Sequence, residues 1–107
     1  MAQLDPLQVN EELKKANEAN VEAVIAHLNA DLEKRTTLEL QRNAAASKVV
    51  DGKAPSEAAC ERVAKSTGEY LKACKAEIAA IKNVESCRIT VEYLRNKVLI
   101  ATALIGK

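Results

Sequence analysis

Over residues 13–32 the large aliphatic side chains fall on one side of a helix, while residues 38–50 are only poorly amphipathic. At about 100° per residue, Leu13, Val21, Val24, Ile25, Leu28 and Leu32 gather into one stripe. Ala16, Ala19, Ala23, Ala26 and Ala30 recur on nearly the opposite side, in steps of three and four. The aliphatic stripe predicts the core. The alanine stripe admits two readings. It is a solvated face, since alanine is the best helix former, or a second helix approaches closely there, since nothing projects to hold it off. Asn17 and Asn20 border the aliphatic stripe. They read as exposed edge positions, with fixing the register of an oligomer as the alternative.

The start of this helix is written in Leu4-Asp5-Pro6-Leu7-Gln8-Val9. Asp5 fits the N-cap, Pro6 the first helical position and Gln8 the third, with Leu4 and Val9 forming a hydrophobic staple. Thr36 and Thr37 are a weak point, because adjacent β-branched residues lower helix propensity. Asp51-Gly52-Lys53-Ala54-Pro55 is the one cluster of helix breakers away from the ends. The first helix is expected over about 6–50, with Gly52 in the left-handed position after its end.

A second helix is expected over about 56–105, capped by Ser56 with Glu57 in its first turn. Cys60, Ala64, Thr67, Leu71, Cys74, Ile78 and Ile81 form a heptad-like stripe. Gly68 interrupts the pattern, and Ser66 with Glu69 makes a capping box. Val84, Cys87, Val91, Leu94, Val98, Ala101 and Ile105 continue the three-four stepping, rotated by roughly 145°. One straight helix cannot present both stripes to one neighbour, so a kink or break is expected near 83–86.

These elements predict an all-α fold: an antiparallel helical hairpin, coiled-coil-like, in a single domain over 1–107. Residue i then lies opposite about 106 − i, which sets Thr36–Thr37 level with Gly68–Glu69. Two helices bury little on their own. Residues 98–105 are apolar almost all round and need to be surrounded. Self-association into a helical bundle follows, a dimer first, through Val91, Leu94, Val98, Ile100, Ala101, Leu104 and Ile105. The alternative is a compact monomeric bundle of three or four helices, folded back at Thr36–Thr37 and near Ser86.

Composition supports helix over sheet. Three Gly, two Pro, two Tyr and no Phe or Trp leave little material for turns. Net charge is +1, unevenly spread. Residues 1–33 hold seven acids and two bases, while residues 34–75 hold nine bases and five acids. The basic segment lies around the turn and includes Lys34, Arg35, Lys48, Lys53, Arg62 and Lys65, with Arg42 between them. It reads first as charge complementing the acidic arm, and second as a contact for an acidic partner or nucleic acid. No signal peptide or membrane span is visible, and three cysteines without a Cys-x-x-Cys spacing suit a reducing cytoplasm.

Candidate chemistry is sparse. His27 is the single histidine, and one ligand with Asp31 a turn later is too few for a metal site. Cys60, Cys74 and Cys87 lie on the apolar stripes and read as small buried hydrophobes. Isolated Gly52, Gly68 and Gly106 make no phosphate-cradling loop. No catalytic, cofactor or metal residues are therefore assigned. The expected function is a non-enzymatic oligomerisation and protein-interaction module: an adaptor, assembly factor or chaperone-like protein, with no membrane attachment and a protein partner of unknown identity. A nucleic-acid accessory protein using the basic turn end is the alternative.

Overall fold

The computed structural model describes residues 5–105, the side chain of Ile105 excepted. Among the described residues the fold is an all-α helical hairpin with three helices: α1 (Pro6–Ala46), α2 (Glu57–Lys65) and α3 (Gly68–Ile105). Leu4, one half of the expected staple, lies outside the described residues. Asp5 caps α1, its Oδ1 accepting from the Leu7 amide at 3.0 Å. Thr36–Thr37 does not interrupt the helix.

α1 ends at Ala46, four residues earlier than the breakers suggest. The Ser47 hydroxyl donates to the Ala44 carbonyl at 2.7 Å, and short polar side chains of this kind compete for helix-end carbonyls. Gly52 therefore does not close the helix. Val50 and Lys53 exchange two backbone hydrogen bonds, at 3.1 and 3.0 Å. Between them Asp51 and Gly52 have φ of 53° and 75°. Two central residues with positive φ are the signature of a type I′ turn, for which Asp-Gly is a favoured pair. The breakers reverse the chain as a tight turn within a longer loop.

The second limb does break, but at Ser66–Thr67 and not near 83–86. α2 starts where expected, with Ser56 Oγ accepting from the Ala59 amide at 3.2 Å. At its end the Ser66 hydroxyl bonds the Val63 carbonyl at 2.7 Å, and the Thr67 hydroxyl bonds the Ala64 carbonyl at 2.8 Å. Thr67 Oγ1 also accepts from the Tyr70 amide at 3.2 Å. Thr67, rather than Ser66, thus caps the next helix, and α3 runs unbroken through Asn83–Ser86.

The described residues divide into two packed units. One draws on residues 5–26 and 81–105, the other on His27–Ala80. In the first, Val9, Ala23, Val91, Leu94 and Ala101 are buried, with Leu13, Ala16, Val84, Cys87 and Val98 half-buried. Glu12 meets Lys97 at 3.9 Å. In the second, Ala45, Cys60, Ala64 and Ala73 are buried, and Lys34 meets Glu77 at 2.9 Å. The rule i ↔ 106 − i puts residues 94 and 72 opposite Glu12 and Lys34. The true partners lie three and five residues further on, and the break at Ser66–Thr67 uses up chain in the second limb. Thr37 and Glu69 do line one cleft.

The alanine stripe, not the aliphatic one, supplies buried positions. Ala23 is buried and Ala16 and Ala30 are half-buried, although Ala19 and Ala26 are exposed. Val21, Val24, Ile25, Leu28 and Leu32, expected in the core, are 38% to 63% exposed. Alanine loses no side-chain entropy on burial and lets two backbones approach closely. The same smallness gives little area to remove from water. This explains how α1 can pack on its small face and leave its large one outward.

Asn20 is a further correction. It is half-buried rather than at an exposed edge, and its Oδ1 is buried without a hydrogen-bond partner among the described residues. An unsatisfied buried acceptor costs about 1–3 kcal/mol. Asn20→Ala removes it and improves helix propensity. The substitution should stabilise the protein by about 1 kcal/mol in urea unfolding, whereas a destabilisation would show that the amide has a partner.

Candidate interaction surface

The outward aliphatic face of α1 is the most conspicuous unpartnered feature. Its phase lies roughly 150° from Ala16, Ala23 and Ala30 on the helix wheel. Toward the N-terminus, Asn10, Leu13, Lys14, Asn17, Glu18, Val21 and Glu22 line an open groove of about 620 Å³ in the first unit. α3 shows a corresponding feature. Its buried or half-buried positions step by three and four from Tyr70 through Ala73, Glu77 and Ala80, then from Val84 through Cys87, Val91 and Leu94 to Val98 and Ala101. Leu71, Ile78 and Ile89 fall on the opposite phase and are 50%, 53% and 59% exposed. The apparent rotation of the stripes is thus resolved without a break. The apolar positions before residue 82 belong to two faces, and the seam there is made of small and polar side chains.

The residues assigned to self-association divide. Val91, Leu94 and Ala101 are buried within the first unit and Val98 is half-buried, so they hold the hairpin together and offer little surface. Ile100 and Leu104 are exposed. The side chain of Ile105 lies outside the described residues. The face formed by Val21–Leu32 was missed as a surface because large aliphatics on one helix stripe read as core.

Four of the nine basic residues over 34–75 are held in ion pairs. Arg35 pairs with Asp31 at 3.1 Å, Arg42 with Glu39 at 2.9 Å and Lys65 with Glu61 at 3.1 Å. Lys34 pairs with Glu77 across the second unit. Lys48, Lys53, Arg62, Lys72 and Lys75 are exposed and have no ion pair among the described residues.

The Glu77 carboxylate, hydrogen-bonded to Lys34 Nζ, raises the lysine pKa above its ordinary 10.5, with burial opposing. The folded state therefore favours the protonated form. The pair's contribution is fully present below the unfolded pKa, and it is lost as pH rises through the raised folded value. A double-mutant cycle with Lys34→Met and Glu77→Gln should give a coupling of about 1 kcal/mol at pH 8. That coupling should vanish in strongly alkaline buffer. A pH-independent coupling would contradict the ion pair.

The cysteines are free. Cys60 is buried, and Cys74 and Cys87 are half-buried. His27 is half-buried on α1. Among the described residues no group of three or more His, Cys, Asp or Glu side chains could hold a metal ion, and no helix is long and apolar enough to cross a membrane. No protein-family model, curated protein or solved structure matches this chain.

Proposed function

We propose that this protein is a non-enzymatic helical module that works through protein–protein contacts and associates first with itself, as a dimer. The single observation that carries this is the exposure of Val21, Val24, Ile25, Leu28 and Leu32 on one face of α1. Contiguous apolar surface of this kind marks interaction sites in water-soluble proteins. The chain's three free cysteines suit a reducing cytoplasm. An adaptor, assembly factor or chaperone-like role fits a module of this kind.

Photo-crosslinking from position 28 tests this directly. A photoreactive phenylalanine analogue at Leu28 should yield a covalent band of twice the chain mass on illumination of the purified protein. Only monomer bands across the micromolar range would contradict self-association.

A further inference from the structure

The outward side of α3 in the first unit carries a heptad-like stripe. Ile89, Tyr93, Asn96, Ile100 and Ala103 step by four and three, and all of them are exposed. On the helix wheel they lie roughly 150° from Val91, Leu94 and Ala101, which are buried within the unit. Val21, Val24 and Ile25 of α1 are exposed as well, on the side of α1 away from the same seam. A second copy seated on α1 therefore leaves the α3 stripe open.

In heptad terms Tyr93 and Ile100 take the a positions, and Ile89, Asn96 and Ala103 the d positions. Glu92 and Leu99 then occupy one edge, at g, while Lys97 and Leu104 occupy the other, at e. In a parallel pair of helices each g residue meets the following e residue of its partner. Glu92 would meet Lys97 of a second copy, and Leu99 would meet Leu104, with the two-fold repeating each contact. Leu99 and Leu104 are both exposed. An antiparallel pair sets like edges together, so that Lys97 faces its own copy and Glu92 faces Leu99. The charges are available for the parallel contact. Arg88 is shared by Glu85 and Glu92, each at 2.9 Å, which leaves that edge one net negative charge. Lys97 reaches Glu12 only at 3.9 Å. Asn96 adds a condition of register. A single amide in an otherwise less polar seam finds its match only when the two stripes align.

We infer that this stripe is a second contact between copies of the chain, a parallel coiled coil that sets Asn96 beside Asn96 and pairs Glu92 with Lys97 across the two-fold. The occupant is a second copy because the edges of the stripe complement themselves in that orientation and repel in the other. The contact is isologous and independent of the α1 face. Asn96, the phenol of Tyr93 and the small Ala103 offer less apolar area than the five aliphatic side chains on α1. The α3 contact is therefore the weaker one, and it joins dimers at protein concentrations above those at which they form. Contacts on two sides of one chain build assemblies larger than a dimer.

Charge exchange in a chain carrying Leu28→Asp and Leu32→Asp tests this contact apart from the α1 face. Sedimentation equilibrium is run at low salt from micromolar to near-millimolar protein, with circular dichroism as the control for folding. The parent should be monomeric at the low end of the range and pair at the high end. Adding Glu92→Lys or Lys97→Glu should weaken that pairing by about tenfold or more, because like charges then meet twice. An equimolar mixture of the two variants should pair as a heterodimer, and the chain with both exchanges should pair again with itself. Ile100→Asp, which touches no ion pair of the hairpin, should abolish pairing. Single exchanges that pair as well as the parent, or a mixture that does not pair, would overturn the parallel contact. A parent that stays monomeric to the top of the range would overturn it too and assign the stripe to a different protein. A wild type that pairs only at the high end would remove the α1 dimer and leave the α3 contact standing.

Discussion

Replacing Leu28 and Leu32 together by aspartate should halve the mass of the protein in solution and leave its helix content unchanged. Both side chains are more than 60% exposed in the single chain. Within one hairpin the substitutions therefore cost little beyond the modest helix propensity of Asp. In a dimer the same positions are covered. Each leucine then contributes about 1.5–3 kcal/mol by leaving water, and an aspartate there is an unpaired buried charge. The loss amounts to on the order of a thousandfold or more in the dissociation constant. Light scattering on L28D/L32D reads this directly, with circular dichroism as the control. An unchanged mass would place the docking face elsewhere.

Leu94→Ala should act in the opposite manner, on folding rather than on association. Leu94 is 7% exposed and lies in the first unit with Val91 and Ala101 as buried neighbours along α3. Truncating a buried leucine removes its transfer energy and leaves a cavity, at a cost of about 2–5 kcal/mol. Among the described residues few large side chains are buried, so few can move in to fill the space. A loss of about 3 kcal/mol is expected, measured by urea unfolding in the L28D/L32D background so that association does not enter. Leu99→Ala is the comparison. Leu99 is 67% exposed, and truncation there should cost no more than about 0.5 kcal/mol. Equal effects at the two positions would contradict the seam through Val91, Leu94 and Ala101.

The helices, their caps and the reversal were legible in the sequence because they rest on local chemistry. Asp5 and Ser56 accept from amides within their own first turns, and Asp51-Gly52 supplies the positive φ that a tight turn needs. The choice of seam was not legible. Side-chain hydrophobicity ranks Leu28 above Ala23, yet close approach of two helices favours the smaller residue. Residues 71–81 show how this misleads: Leu71, Ile78 and Ile81 look like a core stripe, while the less apolar Ala73, Glu77 and Ala80 lie closer to the seam. Val91 and Leu94 were recognisable as positions needing cover, and the cover comes from within the unit.

Charge divided in the same way. The Asp31–Arg35 and Glu61–Lys65 pairs follow from i,i+4 spacing. Lys34–Glu77 joins residues 43 apart, so its formation depends on a register that composition does not contain. That pair matters twice. It takes Lys34 out of the basic cluster near the turn, and it holds Glu77 at the seam of the second unit.

The most direct measurement is the mass of the wild-type protein by light scattering coupled to size exclusion. A docking face on α1 filled by a second copy predicts about twice the 11.6 kDa of one chain. A mass of 11.6 kDa that persists at high protein concentration would contradict it.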